Sequence, residues 1–175
     1  MNNRQGRKVF ILGGAKSGKS AFAVGEAAAL PGRKAYVATA QPFDDEMKVR
    51  IERHRQERPK DWDTFEEPLD LPGLLLKIKD SHDVILIDCL TIWLTNLMLA
   101  EKDILQETES FVSSLTTVGG SIFAVSNEVG FGIVPDNEMA RKFRDLAGTL
   151  NQRVAAVADQ VYLVSAGIPI KIKEI

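Results

Sequence analysis

Two rhythms alternate along this chain: short runs of β-forming residues, and longer stretches with apolar positions three and four apart. The pattern predicts a strand over 9–12 running into Gly13 and Gly14, then a helix through 29 that Pro31 and Gly32 stop. A second strand over 35–39 ends in a loop at Pro42. The charged stretch 44–58 keeps helical spacing, with Asp44 and Asp45 suited to its N-terminal end and Pro59 closing it. A short helix is expected over 69–79, and a fully buried strand over 84–87 that ends at Asp88. Helices over 91–100 and 104–117 follow, and Gly119-Gly120 breaks the chain before a strand over 121–125. Loop 126–135 leads into a long helix over 136–158 with Ala140, Phe143, Ala147, Leu150, Val154 and Val157 on its apolar face. The last strands, 160–164 and 168–172, are joined by Ser165-Ala166-Gly167, short enough for an antiparallel hairpin. This order predicts an α/β layered domain, its sheet mostly parallel with an antiparallel C-terminal edge.

Composition narrows the class. With 175 residues, 45% hydrophobic and 26% charged, the chain has the make-up of a single folded domain over 1–175 and not of a disordered one. Its 22 basic and 24 acidic residues leave a net charge of −2, which gives no electrostatic footprint for nucleic acid. Cys89 is the one cysteine, so an internal disulfide is impossible and a reducing compartment suits the chain. No apolar run approaches the roughly 18 residues of a membrane span. A cytoplasmic location is the expectation.

The chemistry starts at Gly13-Gly14-Ala15-Lys16-Ser17-Gly18-Lys19-Ser20, which fits G-x-x-x-x-G-K-[ST] between an expected strand and an expected helix. Glycines let the backbone curl so that successive N–H groups face phosphate oxygens, and the helix N-terminus adds partial positive charge. Lys19 is expected to reach the β- and γ-phosphates, and Ser20 to bind Mg²⁺ through its hydroxyl. The bland alternative is a glycine-rich turn that binds nothing. Asp88 closes a buried strand, so it emerges at the same sheet edge, as a metal or nucleotide ligand or else as the cap of the helix that follows. In the charged helix, Arg50 and Arg58 lie four residues either side of His54, so all three can share one face with partners for phosphate oxygens. By residue type alone, the solvated-face reading of His54 outweighs the nucleophile reading, because a helix this charged is usually a solvated face. His82, between Ser81 and Asp83, reads as a surface histidine in a turn. Loop 126–135 follows a parallel strand and is expected to open on the ligand face, a purely structural loop being the alternative.

Several motifs together resemble one family, the bifunctional adenosylcobinamide kinase/adenosylcobinamide-phosphate guanylyltransferases of cobalamin biosynthesis. They are the phosphate loop, Tyr36-Val37-Ala38-Thr39-Ala40, Arg50-Ile51 with His54, Arg58-Pro59, Trp62 and Glu66, then Asp88-Cys89-Leu90-Thr91, Trp93 and Asn96. Ser126-Asn127-Glu128-Val129-Gly130, Gly132-Ile133-Val134-Pro135, Arg141, Phe143-Arg144-Asp145, Gly148 and Asn151-Gln152 complete the set, which spans nearly the whole chain. The resemblance implies a P-loop NTPase-like three-layer fold and a two-step reaction. A triphosphate, ATP or GTP, phosphorylates adenosylcobinamide; GTP then gives GMP to that phosphate, by way of a guanylylated histidine that matches His54. It also implies a nucleotide site of 13–20, Ala38, Thr39, Ala40, Arg55, Gln56, Glu57, Arg58, Glu66 and Asp88, with Mg²⁺ on Ser20 and Asp88, and a homo-oligomer, as a trimer. Arg50 joins from helical spacing.

Two positions depart from the family pattern. Lys16 stands where Arg is common, keeping charge without bidentate geometry, and Asp88 stands where some members have Glu. Gly148, mid-helix, costs about 1 kcal/mol relative to Ala, which close helix packing between subunits would explain. Two competing functions remain at this level: a small-molecule kinase that uses the phosphate loop alone, and a nucleotide-binding regulatory module.

Overall fold

A computed structural model describes residues 6–42 and 45–175. Seven strands form one sheet in the order β3-β2-β4-β5-β1-β6-β7. These are β1 (Lys8–Gly13), β2 (Lys34–Ala38), β3 (Asp63–Glu66), β4 (Val84–Asp88), β5 (Ser121–Asn127), β6 (Gln160–Ser165) and β7 (Ile168–Glu174). The first six are parallel, and β7 runs antiparallel beside β6. The two residues between β6 and β7, Ala166 and Gly167, both have positive φ, 50° and 78°, the geometry of a tight hairpin turn.

Because strand side chains alternate between faces, the sheet sorts its apolar residues into two cores. Phe10, Val37, Ile85, Ile87, Ile122 and Ala124 face α3 (Leu71–Ile78), α4 (Leu90–Leu99), α5 (Ile104–Thr117) and α6 (Glu138–Val157). Val9, Ile11, Tyr36, Leu86, Phe123 and Val125 face α1 (Lys19–Ala28) and Trp62. The remaining helix, α2 (Asp45–Glu57), buries only Ile51 among its described side chains. Among the described residues no helix is long and apolar enough to cross a membrane.

The expected elements are found, with boundary shifts of at most two residues and one addition. The addition is β3, four residues whose alternating polar sequence Asp63-Thr64-Phe65-Glu66 carries no apolar run. Asp44, expected at the start of the charged helix, lies outside the described residues. Gly148 has open space where a Cβ would stand, so packing within one chain does not require it.

Helix capping separates the site from the scaffold. Asp70, Asp103 and Asn137 cap α3, α5 and α6, each accepting hydrogen bonds from first-turn N–H groups at 2.8–3.1 Å. The N-termini of α1 and α4, at Gly18 and Cys89, have no side-chain cap. Both helices start where a strand of the parallel sheet ends.

Candidate active site

The carboxyl ends of β1, β2 and β4 converge on one edge of the sheet. At β1 the chain leaves Gly13 and turns through Lys16 and Gly18, with φ of 56° and 94°, before α1 begins. A side chain at Gly18 would be strained by that φ and would press on Gly167, while one at Gly13 would strike Ser17 and the Val164 carbonyl. The curl leads directly into α1, whose N-terminus has no side-chain cap, and an anion there would satisfy first-turn N–H groups and the helix dipole.

Lys19 is buried, and its Nζ donates to the Gly14 carbonyl oxygen at 3.0 Å. Burial holds this ammonium below the ordinary lysine value, against the opposing pull of Cys89 and Asp88. Phosphate oxygens placed beside it would oppose that shift by favouring the charged ammonium. Ser17 is also buried, and its Oγ has no hydrogen-bond partner within the fold.

Asp88 is not a helix cap. Its Oδ2 accepts a 2.9 Å hydrogen bond from the Tyr36 hydroxyl, and α4 begins after Cys89 without a side-chain cap. Thr39 is wholly buried: its hydroxyl donates to the Cys89 carbonyl oxygen at 2.8 Å and accepts from the Cys89 N–H at 3.0 Å. Asn96 donates to the Thr39 carbonyl oxygen at 2.7 Å. Thr39 therefore acts by joining the ends of β2 and β4, whereas Ala38 and Ala40 form cavity wall.

The decisive feature is Arg58. Its side chain is only 9% exposed, its guanidinium lies 5.1 Å from the centre of the Tyr36 ring, and its Nε has no hydrogen-bond partner. It lines two cavities. One, of about 150 Å³, is walled by Tyr36, Ala38, Ala40, Ile51, Asp88 and Ile92; the other, of about 420 Å³, by Ser20, Ala21, Val24, Gly25 and Tyr36. His54 and Arg58 line both. The histidine of the charged helix and the serine of the phosphate loop therefore share one cavity.

Of the other residues expected here, Arg55 and Glu66 meet each other: Arg55 Nε and Nη2 donate to Glu66 Oε1 at 2.9 and 2.6 Å, with Arg58 3.6 Å from the same oxygen. Lys16, Gln56, Gly14 and Ala15 are exposed. The side chains of Arg50 and Glu57 lie outside the described residues.

Two residues carry more than the sequence suggested. Tyr36, which the sequence marked only as the first residue of the 36–40 motif and gave no role, is a wall of both cavities and a partner of Asp88. His82 is not a surface residue. It is buried, with Nε2 2.9 Å from Asp63 and Nδ1 3.0 Å from Ser81, and edge-on to Phe65. Hydrogen bonds from His82 first, and from Arg33, hold the Asp63 carboxyl below its usual range. This cluster belongs to the opposite edge of the sheet, beside a larger cavity of about 610 Å³ lined by Arg7, Lys79, His82 and Gly120 among others. That cavity contains no residue of the phosphate-loop or His54 motifs.

A family model described as cobinamide kinase/cobinamide phosphate guanyltransferase matches residues 9–172. The bifunctional adenosylcobalamin biosynthesis protein CobP of Pseudomonas aeruginosa is 43% identical, covering 93% of this chain and 95% of that protein. The corresponding CobU proteins of Escherichia coli and Salmonella typhimurium are 38% and 39% identical, each covering 94% of this chain and 99% of its own length. Among solved structures, the RadB recombinase superposes with a TM-score of 0.51 at 14% identity, over 91% of this chain and 74% of that one. The type III secretion ATPase EscN superposes at 0.56 and 11% identity, over 92% and 43%. These structural likenesses establish a P-loop NTPase fold.

Proposed function

The chain belongs to the cobinamide kinase/cobinamide phosphate guanyltransferase family, and on that premise we propose that His54 carries GMP between two substrates bound at the carboxyl edge of the sheet. The protein is a bifunctional transferase of cobalamin biosynthesis. In the first reaction the hydroxyl oxygen of adenosylcobinamide attacks the γ-phosphorus of ATP or GTP, and the bond to the nucleoside diphosphate breaks. In the second, an imidazole nitrogen of His54 attacks the α-phosphorus of GTP, a P–N bond forms and pyrophosphate leaves. A phosphate oxygen of adenosylcobinamide phosphate then displaces the imidazole, giving adenosylcobinamide-GDP. One hard displacement becomes two easier ones.

The observation that carries this reading is the cavity shared by His54, Arg58 and Ser20. The loop N–H groups and Lys19 hold phosphates, and the Arg58 guanidinium, whose Nε has no hydrogen-bond partner, is placed to take charge that develops beside His54. The donor set fits Mg²⁺: Ser20 offers a hydroxyl and Asp88 a carboxylate, and this ion commonly takes one or two carboxylates together with water and phosphates. When bound, it would neutralise phosphate charge. The residues 1–175 act as one catalytic domain, assembled as a homo-oligomer, a trimer by the family resemblance, in the cytoplasm.

Incubation with α-labelled GTP and Mg²⁺ is expected to leave acid-labile, alkali-stable label on the protein, and His54→Ala to abolish it. Transfer from γ-labelled ATP or GTP onto cobinamide without any such label would instead identify a kinase alone. Neither transfer nor label would leave a nucleotide-binding module.

A further inference from the structure

Loop 128–137, between β5 and α6, is fastened at both ends. At its start the Glu128 N–H donates to the Gly13 carbonyl oxygen at 3.1 Å, which ties it to the phosphate loop. Asn127 donates through its N–H to Thr91 Oγ1 at 2.6 Å, and its carbonyl oxygen accepts from Asn151 at 3.2 Å. At its end Arg141 Nη1 donates to the carbonyl oxygens of Pro135 and Asp136 at 3.0 and 2.7 Å. Val129 packs against the core, yet the tip does the reverse: Phe131 is 84% exposed, Ile133 97% and Val134 61%. A contiguous apolar tip held out by a fixed base marks a contact surface, and it rises from the edge where the reacting phosphates are placed.

Its occupant follows from size and economy. The two cavities beside His54, about 150 and 420 Å³, are of the order that one nucleotide fills, so a macrocycle must lie outside them. The curated relatives are matched over 95–99% of their own length, so they carry no further domain on which a corrinoid could dock. Resting on the function proposed above, we propose that Phe131, Ile133 and Val134 form the platform for the apolar face of the corrin ring. The aminopropanol arm then extends past Glu128 towards the phosphate loop.

The test compares the full-length protein with Phe131→Ser/Ile133→Ser, reading cobinamide binding by equilibrium dialysis through the ligand's own visible absorbance. The dissociation constant for cobinamide is expected to rise tenfold or more, while labelling by α-labelled GTP and the sedimentation coefficient stay as they were. Phe131→Leu/Ile133→Val, which keeps the surface apolar, is expected to bind within a few-fold of the parent. If the parent binds cobinamide and the serine variant binds it equally well, the platform is refuted and the proposed function stands. If the serine variant changes its oligomeric state, the tip is a contact between copies and the proposal fails. A parent that binds no cobinamide refutes the functional reading and the platform together.

Discussion

Cys89 is a chemical probe of the site without belonging to its machinery. Burial foremost, and the nearby Asp88 charge, push its thiol up to about 11 from an ordinary 9.0, against the N–H groups of Ile92 and Thr91 and the Lys19 ammonium. A raised acid binds more protons folded than unfolded, so its contribution is fully present below the unfolded value and is lost as pH climbs to the folded one. Stability is therefore expected to hold up to about pH 9 and to fall by on the order of 2–3 kcal/mol between about 9 and 11 from this thiol. The Tyr36 phenol, raised chiefly by burial and next by Asp88, adds a loss of the same sign at the alkaline end. Urea unfolding of the parent and of Cys89→Ala at pH 8 and pH 10.5 separates the two. The variant starts less stable from lost packing but loses less on alkalinisation; equal losses would show that the thiol ionises normally.

At the scale of elements, α2 stands apart because polar ties, more than core packing, fix it. Ile51 anchors it, and Arg55 and Arg58 reach across to Glu66 at the end of β3. The Arg55–Glu66 pair is exposed, and such pairs contribute little to global stability, so its use here is to set the helix over the cavity. Glu66→Ala is expected to slow His54 labelling severalfold while leaving the urea midpoint unchanged; a shifted midpoint with normal labelling would assign Glu66 to stability. The same region shows what sequence could and could not reveal. The phosphate loop and Asp88 were legible because each follows an apolar strand directly, and the final hairpin because its connection is so short. β3 was not, since an edge strand of four residues with three polar members lacks periodic signal. Missing β3 also misplaced His82, whose partner Asp63 begins that strand. The Arg58–Tyr36 stack brings together residues that no local spacing relates.

Across the whole molecule, nucleotide binding is expected to act as a fastener. The site draws on β1, β2, β4, α1 and α2, and of these α2 contributes least to the core. A ligand that binds only the folded state at 100 times its dissociation constant adds about 2.7 kcal/mol. For a chain of this length that corresponds to a rise in Tm of roughly 5–10 °C. GTP with Mg²⁺ is expected to produce such a rise, and Lys19→Ala to remove most of it, because the variant lacks the ammonium proposed to hold the phosphates. The gain should not be spread evenly. Helix α6, with Ala147, Leu150 and Val154 in the core, is already held by packing, so its amide exchange should change little. The amides of α2 should slow markedly, since bound phosphate would tie Arg58 and His54 to the loop before α1. Hydrogen exchange with and without GTP checks this: protection confined to the phosphate loop, with α2 unaffected, would mean that the histidine helix does not close on the nucleotide.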